Sequence, residues 1–361
     1  MTEPKEHHFV PQFYLRAFGK GKSIRLFNFE RLKHIPGAPI KSQCARHKLH
    51  AFMPGLEQDL AVIEGAAANA VRAILSEGTA PTAWSEVWQD VLAFLALQKL
   101  RTTRSMHSVQ TLADFMLEHA PAPGDAVEGF DREQLKATLG HPLGYALLCV
   151  KDVLNHAADL GMHLLVNETG EGFITSDDPV VLHNQYCEGI DYHGVLGWLN
   201  TGLQAFLPLS PKTVLMLYDP AVYKVEGTRK GVRASSVTDV RHVRMINELQ
   251  FLNAVENVYY AGEPSASFQG ICESMAGKRV GGRMALVEAA PVERPDGTST
   301  QLLHTFEPML PVRLTLSQIE IRRRARRIPL DVRGRTYRDG TVMGSEPGQA
   351  QTYRVQTVLH R

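Results

Sequence analysis

The chain has 361 residues, 44% of them hydrophobic and 21% charged, with a formal net charge of +1. That length suits two structural domains or one large elaborated one, and so even a charge balance excludes attraction of the whole surface to nucleic acid or membrane, leaving only local contacts. Cys44, Cys149, Cys187 and Cys272 are scattered without a Cys-x-x-Cys pair, which excludes a zinc-knuckle or thioredoxin-type motif and fits reduced thiols in a cytosol.

The first six residues contain no apolar stretch of a signal peptide, and no later run is long and apolar enough to span a bilayer. A cytoplasmic protein without a membrane partner is therefore expected. There is no internal repeat and no low-complexity block. Between His7 and Phe18 stand two histidines, Pro11 and four aromatic rings, a density of groups needing burial that a frayed terminus rarely carries. Pro11 suits the first position of a helix, where its missing N–H is no loss, so residues 11–18 predict a short helix stopped by Gly19 and Gly21. Ser23 to Phe29 alternate apolar and polar side chains and predict a strand. Further β or irregular chain, with Pro36 and Pro39, leads to His47, His50 and Phe52 and wraps the N-terminal segment against a helical body.

From Leu56 to about Leu75, Leu60, Ile63, Ala67, Val71 and Ile74 recur at helical spacing, ended by Gly78 and Pro81. A second long helix is expected from Trp84 to about Leu117, because Trp84, Val87, Trp88, Val91, Phe94 and Leu95 repeat the seam; the two form an αα-hairpin. Weaker helical pattern covers 131–138 and stronger pattern 142–159. After Gly161 the character changes: His163 to Val166 and Gly172 to Thr175 predict a hairpin around Asn167 to Glu171, and Ala205 to Leu209 with Thr213 to Tyr218 predict two more strands. A helix follows from about Val237 to about Asn257, with Ser236 as its cap. The expected class is α+β, a mainly helical N-terminal half with a long αα-hairpin packed on a small, mostly antiparallel sheet. Residues 1–290 are expected to form one elaborated domain, and 291–361 a β or irregular Arg-rich extension.

Four constellations carry chemistry, each beside a structural alternative. Continuing the seam Val91, Phe94, Leu95 lands on Gln98, Arg101 and Ser105, while Glu57 and Glu64 lie on the apolar stripe of the preceding helix. A buried Arg demands an acid or an anion, so Arg101 either pairs with Glu64 or lines a pocket. Ser176, Asp177, Asp178 and Pro179 end a strand, where an acid can act as base or metal ligand, or simply hold a turn. His7 and His8 point different ways, so one at most faces a given site, the alternative being a histidine satisfied by a backbone carbonyl. No spacing of zinc ligands accompanies them. Arg322, Arg323, Arg324, Arg326 and Arg327, followed by Arg333, Arg335 and Arg338, can bind phosphates with Tyr337 stacking on a base, or form a solvated edge. No P-loop, dinucleotide fingerprint, nucleophile elbow or zincin motif is present, and no cysteine sits in a nucleophile context.

Taken in order, His8-x-x-Pro11-x-x-Tyr14-Leu15-x-x-Phe18, Leu97-Gln98-x-x-Arg101-Thr102-x-Arg104 and Phe173-Ile-Thr-Ser176-Asp177-x-Pro179-Val180 resemble domain-of-unknown-function family 4238, found mainly in bacteria. The resemblance spans roughly residues 7–260 and marks His8, Pro11, Tyr14, Gln98, Arg101, Arg104, Ser176, Asp177 and Pro179 as family-motif positions, without implying an activity. From the residues themselves, the leading expectation is an enzyme acting on a phosphate-containing substrate, nucleic acid or nucleotide. In it His8, Asp177 and Arg101 are catalytic; Gln98, Arg104, Ser176, Tyr14 and Glu64 bind substrate, and a divalent metal is a candidate cofactor. The competing expectation is a non-catalytic RNA- or protein-binding module, for example in bacterial defence, in which those residues are architecture and the Arg322 to Arg338 segment, with the run Arg322, Arg323, Arg324, Arg326 and Arg327, makes the contacts.

Overall fold

In the computed structural model, which describes residues 6–50, 52–118, 132–188, 194–276, 286–293, 299–327, 335–338 and 342–343, the N-terminal motif is a strand and a short helix, not a tail. β1 (Glu6–His8) leads into α1 (Gln12–Arg16), then β2 (Ser23–Asn28), β3 (Lys33–Pro39) and β4 (Ala45–His47). The helical part comprises α2 (Leu56–Glu77), α3 (Glu86–Leu100), α4 (Thr103–Glu118), α5 (Arg132–Leu139), α6 (Pro142–Leu148) and α7 (Val150–Ala157). There follow β5 (Gly161–Asn167), β6 (Thr175–Ser176), β7 (Val181–His183), β8 (Gln204–Ser210), β9 (Thr213–Tyr218), β10 (Tyr223–Val225) and β11 (Ala234–Val237). The remaining elements are α8 (Val240–Asn253), β12 (Asn257–Tyr260), α9 (Ala266–Met275), β13 (Leu286–Glu293), β14 (Ser299–Phe306), β15 (Ile319–Ile321), β16 (Arg335–Thr336) and β17 (Val342–Met343). The class is α+β.

α2 and α3 pack against each other. α2 ends at Gly78, whose φ of 65° places it in the left-handed region that glycine tolerates and lets its N–H close on Ile74 O at 3.0 Å. The seam expected to run unbroken from Trp84 to Leu117 breaks at Arg101. There the backbone leaves helical geometry (φ −97°, ψ 7°), and the Thr102 hydroxyl accepts the Ser105 N–H at 3.3 Å to start α4. The expected 142–159 helix is likewise two helices, meeting at Cys149.

Two sheets hold the core. The larger has strand order β11-β5-β9-β8-β7, antiparallel except for the parallel pair β11 and β5. The second has order β3-β2-β12-β6, antiparallel throughout. The expected hairpin of 163–166 with 172–175 does not form: β5 lies between β9 and β11, and only Thr175–Ser176 pairs, with β12 in the other sheet. Apolar runs alone leave a strand's partner open, because any buried edge satisfies the same side chains. α8 begins later than expected, capped by Asp239, whose carboxylate accepts the Arg241 N–H at 2.9 Å; Ser236 lies in β11. β8 and β9 are sealed on both faces, with Phe206, Leu207, Val214, Leu215 and Met216 at 0% exposure. Leu310, Val312, Leu314 and Leu316 join the same core from the C-terminal side. Among the described residues no helix is long and apolar enough to cross a membrane, and all four cysteines are free.

Candidate functional site

The three motif segments are bonded to one another. Gln98, fully buried near the end of α3, donates from Nε2 to Phe9 O at 2.9 Å, tying the second segment to the first. Tyr14 donates to Pro208 O at 2.6 Å and meets Thr175 Oγ1 at 2.7 Å, tying the first to the third. Burial pushes the Tyr14 phenol far up, so it stays a neutral donor. Arg104 donates from Nε to Asp178 Oδ2 at 2.6 Å and from Nη2 to Asn253, tying the second to the third. A free guanidinium in so dry a place would be prohibitive; paired, it fixes the geometry.

The third segment is also laced to α8 by amides three residues apart. Asn247 accepts from Ile174 N at 2.9 Å and donates to Gly172 O at 2.9 Å. Gln250 accepts from the Ser176 hydroxyl at 3.1 Å and donates to Pro179 O at 2.8 Å. Asn253 donates to Asp178 O at 2.7 Å. Asp177 accepts from the backbone amides of Val255, Glu256 and Asn257 at 2.8, 2.6 and 3.0 Å, holding the turn between α8 and β12. Burial pushes its carboxyl up to about 6, although those three amides favour the charged form. No described bond links Asp177 to His8 or Arg101. It is Asp178, not Asp177, that pairs with an arginine.

Arg101 lies near enough to His8 for its charge to act on the imidazole, and it is paired with Glu64, the structural alternative for a buried Arg101. Arg101 is fully buried; it donates from Nη1 to Glu64 Oε1 at 2.7 Å, and from Nε and Nη2 to Gln98 Oε1 at 3.3 and 3.1 Å. The half-buried His8 donates from Nε2 to Lys41 O at 3.1 Å, since a carbonyl can only accept. Burial lowers its pKa, with the Lys41 carbonyl, Glu64 and Glu57 opposing and Arg101 reinforcing.

His7, buried across β1 from His8, accepts the His50 N–H on Nδ1 at 2.7 Å and stacks on the His50 ring with centroids 4.6 Å apart. His50 in turn meets Glu57 Oε2 through Nδ1 at 2.5 Å, while its Nε2 is buried without a partner. Burial lowers the pKa of His50 as well, with Glu57 opposing. The result is one cluster of His7, His8, His50, Glu57, Glu64 and Arg101, drawn from β1, the stretch after β4, α2 and the end of α3. The signal for it was present in the inward stripe of Glu57 and Glu64, but nothing in the spacing of His50 ties it to His7; pairing of β1 with β4 does that, with His7 opposite Arg46.

A cavity of about 280 Å³ lies on another face of the α3–α4 junction, lined by Lys99, Thr102, Arg104, Leu112, Trp198 and Glu307 among others; His8, Arg101 and Asp177 are not in its walls. Lys99 and Glu307 pair across it at 2.9 Å. In the basic run, Arg322 donates to Pro220 O and Tyr223 O at 3.0 and 2.9 Å, and Arg324 to Ala221 O at 3.4 Å. Arg323 and Arg326 are exposed, and the side chain of Arg327 lies outside the described ones. Farther on, Arg338 is bound to Asp159, while Arg333 lies outside the described residues.

No curated protein matches the chain, and no solved structure does. The family model described as "Protein of unknown function (DUF4238)" matches residues 6–263, which include β1, the α3–α4 junction, the segment 172–179 and α8. That span contains all three motif segments bonded to one another through Gln98, Tyr14 and Arg104, and the chain belongs to that family.

Proposed function

We propose that the chain is a hydrolase acting on a phosphate-containing substrate, a nucleotide or nucleic acid, with His8 as its general base and acid. The observation that carries this reading is the His8 imidazole. Its Nε2 proton is fixed on the Lys41 carbonyl, and Nδ1 has neither a described partner nor the full burial of the cluster's other orphan nitrogen, so a lone pair faces solvent. Beside it Arg101 is a positive charge that cannot swing away, because Gln98 and Glu64 hold it; its part toward an anion is electrostatic, not a direct grip. Exposed Lys41 and Lys48 flank the β1–β4 ribbon and supply contacts to phosphate oxygens. Tyr14, Arg104, Ser176 and Asp177 serve as the frame.

The test is turnover of a chromogenic phosphodiester, nucleotides and RNA by the full chain. His8→Gln is expected to lower the rate by about 10²–10⁴-fold with an unchanged circular dichroism spectrum. A second reading, a non-catalytic binding module, is favoured by one observation: Arg101, Arg104 and Asp177 are all engaged inside the protein. Salt-dependent RNA binding without turnover, weakened in an Arg323→Ala/Arg326→Ala double variant, would establish that reading in place of the first.

A further inference from the structure

His7, His50 and Glu57 are brought from three separate elements to one place, and one ligating atom of each lies within 4.8 Å of those of the other two. We propose that these three side chains bind a divalent transition-metal ion of the zinc type.

The geometry of His50 is the strongest support. Its Nδ1 lies 2.5 Å from Glu57 Oε2, so the two atoms share one proton, and an ion taking the place of that proton is ligated by Nδ1 and the carboxylate together. The His50 side chain is only 3% exposed, which keeps bulk water from competing for the ion.

The second support is the donor set. Two imidazoles and a carboxylate select a first-row transition ion over Mg²⁺ or Ca²⁺, which take oxygen ligands. Ligand bonds of about 2.0–2.2 Å require the three atoms to close by small side-chain rotations, and Glu57, 38% exposed, is free to make them. His7 contributes the ring nitrogen whose lone pair now accepts the His50 N–H. Charge agrees: Glu57 and Glu64 outnumber Arg101 among the fixed charges of the cluster, and a divalent ion offsets the excess.

The inference rests on the hydrolase reading only for what the ion does, which is to add fixed positive charge near an anionic substrate. Binding is tested apart from turnover. Full-length protein, stripped with a chelator and dialysed, is titrated calorimetrically with Zn²⁺, and separately with Co²⁺ read by visible absorption. One high-affinity equivalent is expected in the wild type. Glu57→Gln, which preserves the half-exposed helix position, is expected to weaken it by about 10–100-fold, and His50→Ala and His7→Ala to abolish it. Should the histidine variants fail to fold by circular dichroism, Glu57→Gln decides alone. No binding by the wild type, or equal binding by Glu57→Gln, overturns the metal site. Tight binding without phosphodiester turnover leaves the metal site standing and overturns the hydrolase reading instead.

Discussion

The two arginines of the second motif look alike in sequence and differ in what their loss exposes. Arg104 neutralises Asp178, which is 0% exposed, whereas Arg101 neutralises Glu64, whose carboxylate is 27% exposed and can turn to water. Arg104→Met is therefore expected to cost about 3–5 kcal/mol, as stranding a buried charge does, and Arg101→Met about 1–3 kcal/mol, in urea denaturation. The reverse order would show that Asp178 is relieved some other way. Asp177→Asn puts an amide group against three N–H donors and is expected to cost about 1–3 kcal/mol.

His163 gives a pH signature at the same scale. Fully buried in β5, it is pushed down to about 4 from 6.5 by burial. Both folded and unfolded chains hold it neutral above pH 7. As pH falls from 6.5 to 4 the unfolded chain takes up a proton that the folded one refuses, and stability falls by up to about 3 kcal/mol. Asp177, raised to about 6, binds its proton earlier in the folded state and stabilises as pH falls through 6, so the two oppose each other. Comparison with His163→Gln isolates the first: wild-type Tm should fall relative to the variant between pH 6.5 and 4. Parallel pH profiles would contradict this assignment.

At the scale of elements, polar residues three apart on buried helix faces do the joining. Gln98 on α3 and Arg101 at its C-terminal cap reach Phe9, just after β1, and α2, and Asn247, Gln250 and Asn253 on α8 hold the chain from Gly172 to Pro179. The pattern is the same in both helices. In the first it is legible, because Gln98 and Arg101 fall where the seam Val91, Phe94, Leu95 demands apolar groups. In α8 the amides are uncharged and pass for an ordinary polar face until burial is known. Asn247→Ala removes the partner of the Ile174 N–H, and hydrogen exchange at that amide is expected to speed up at least tenfold while protection in β8 and β9 persists. A uniform loss of protection would mean that the segment and the large sheet open together.

For the whole molecule, the two sheets meet across a core to which the C-terminal stretch contributes. Leu314, at 0% exposure, is expected to cost about 2–5 kcal/mol when replaced by Ala, the range of a central core leucine, although it lies beyond the residues that match the family. Periodicity alone determined much of the architecture: the long helices, the fully apolar strands β8 and β9 and the α+β class are local patterns that a 3.6- or 2-residue repeat makes visible, while the three motifs stood out through the family resemblance. Only the tertiary structure decided which strand pairs with which, because apolar runs satisfy any buried neighbour, and where the seam of α3 and α4 breaks, at Arg101, whose backbone leaves helical geometry before Thr102 caps α4. It likewise decided that Asp177 holds a turn while His7 joins His50 and Glu57, since side chains separated by dozens of residues share a site only when the strands and helices carrying them are packed together.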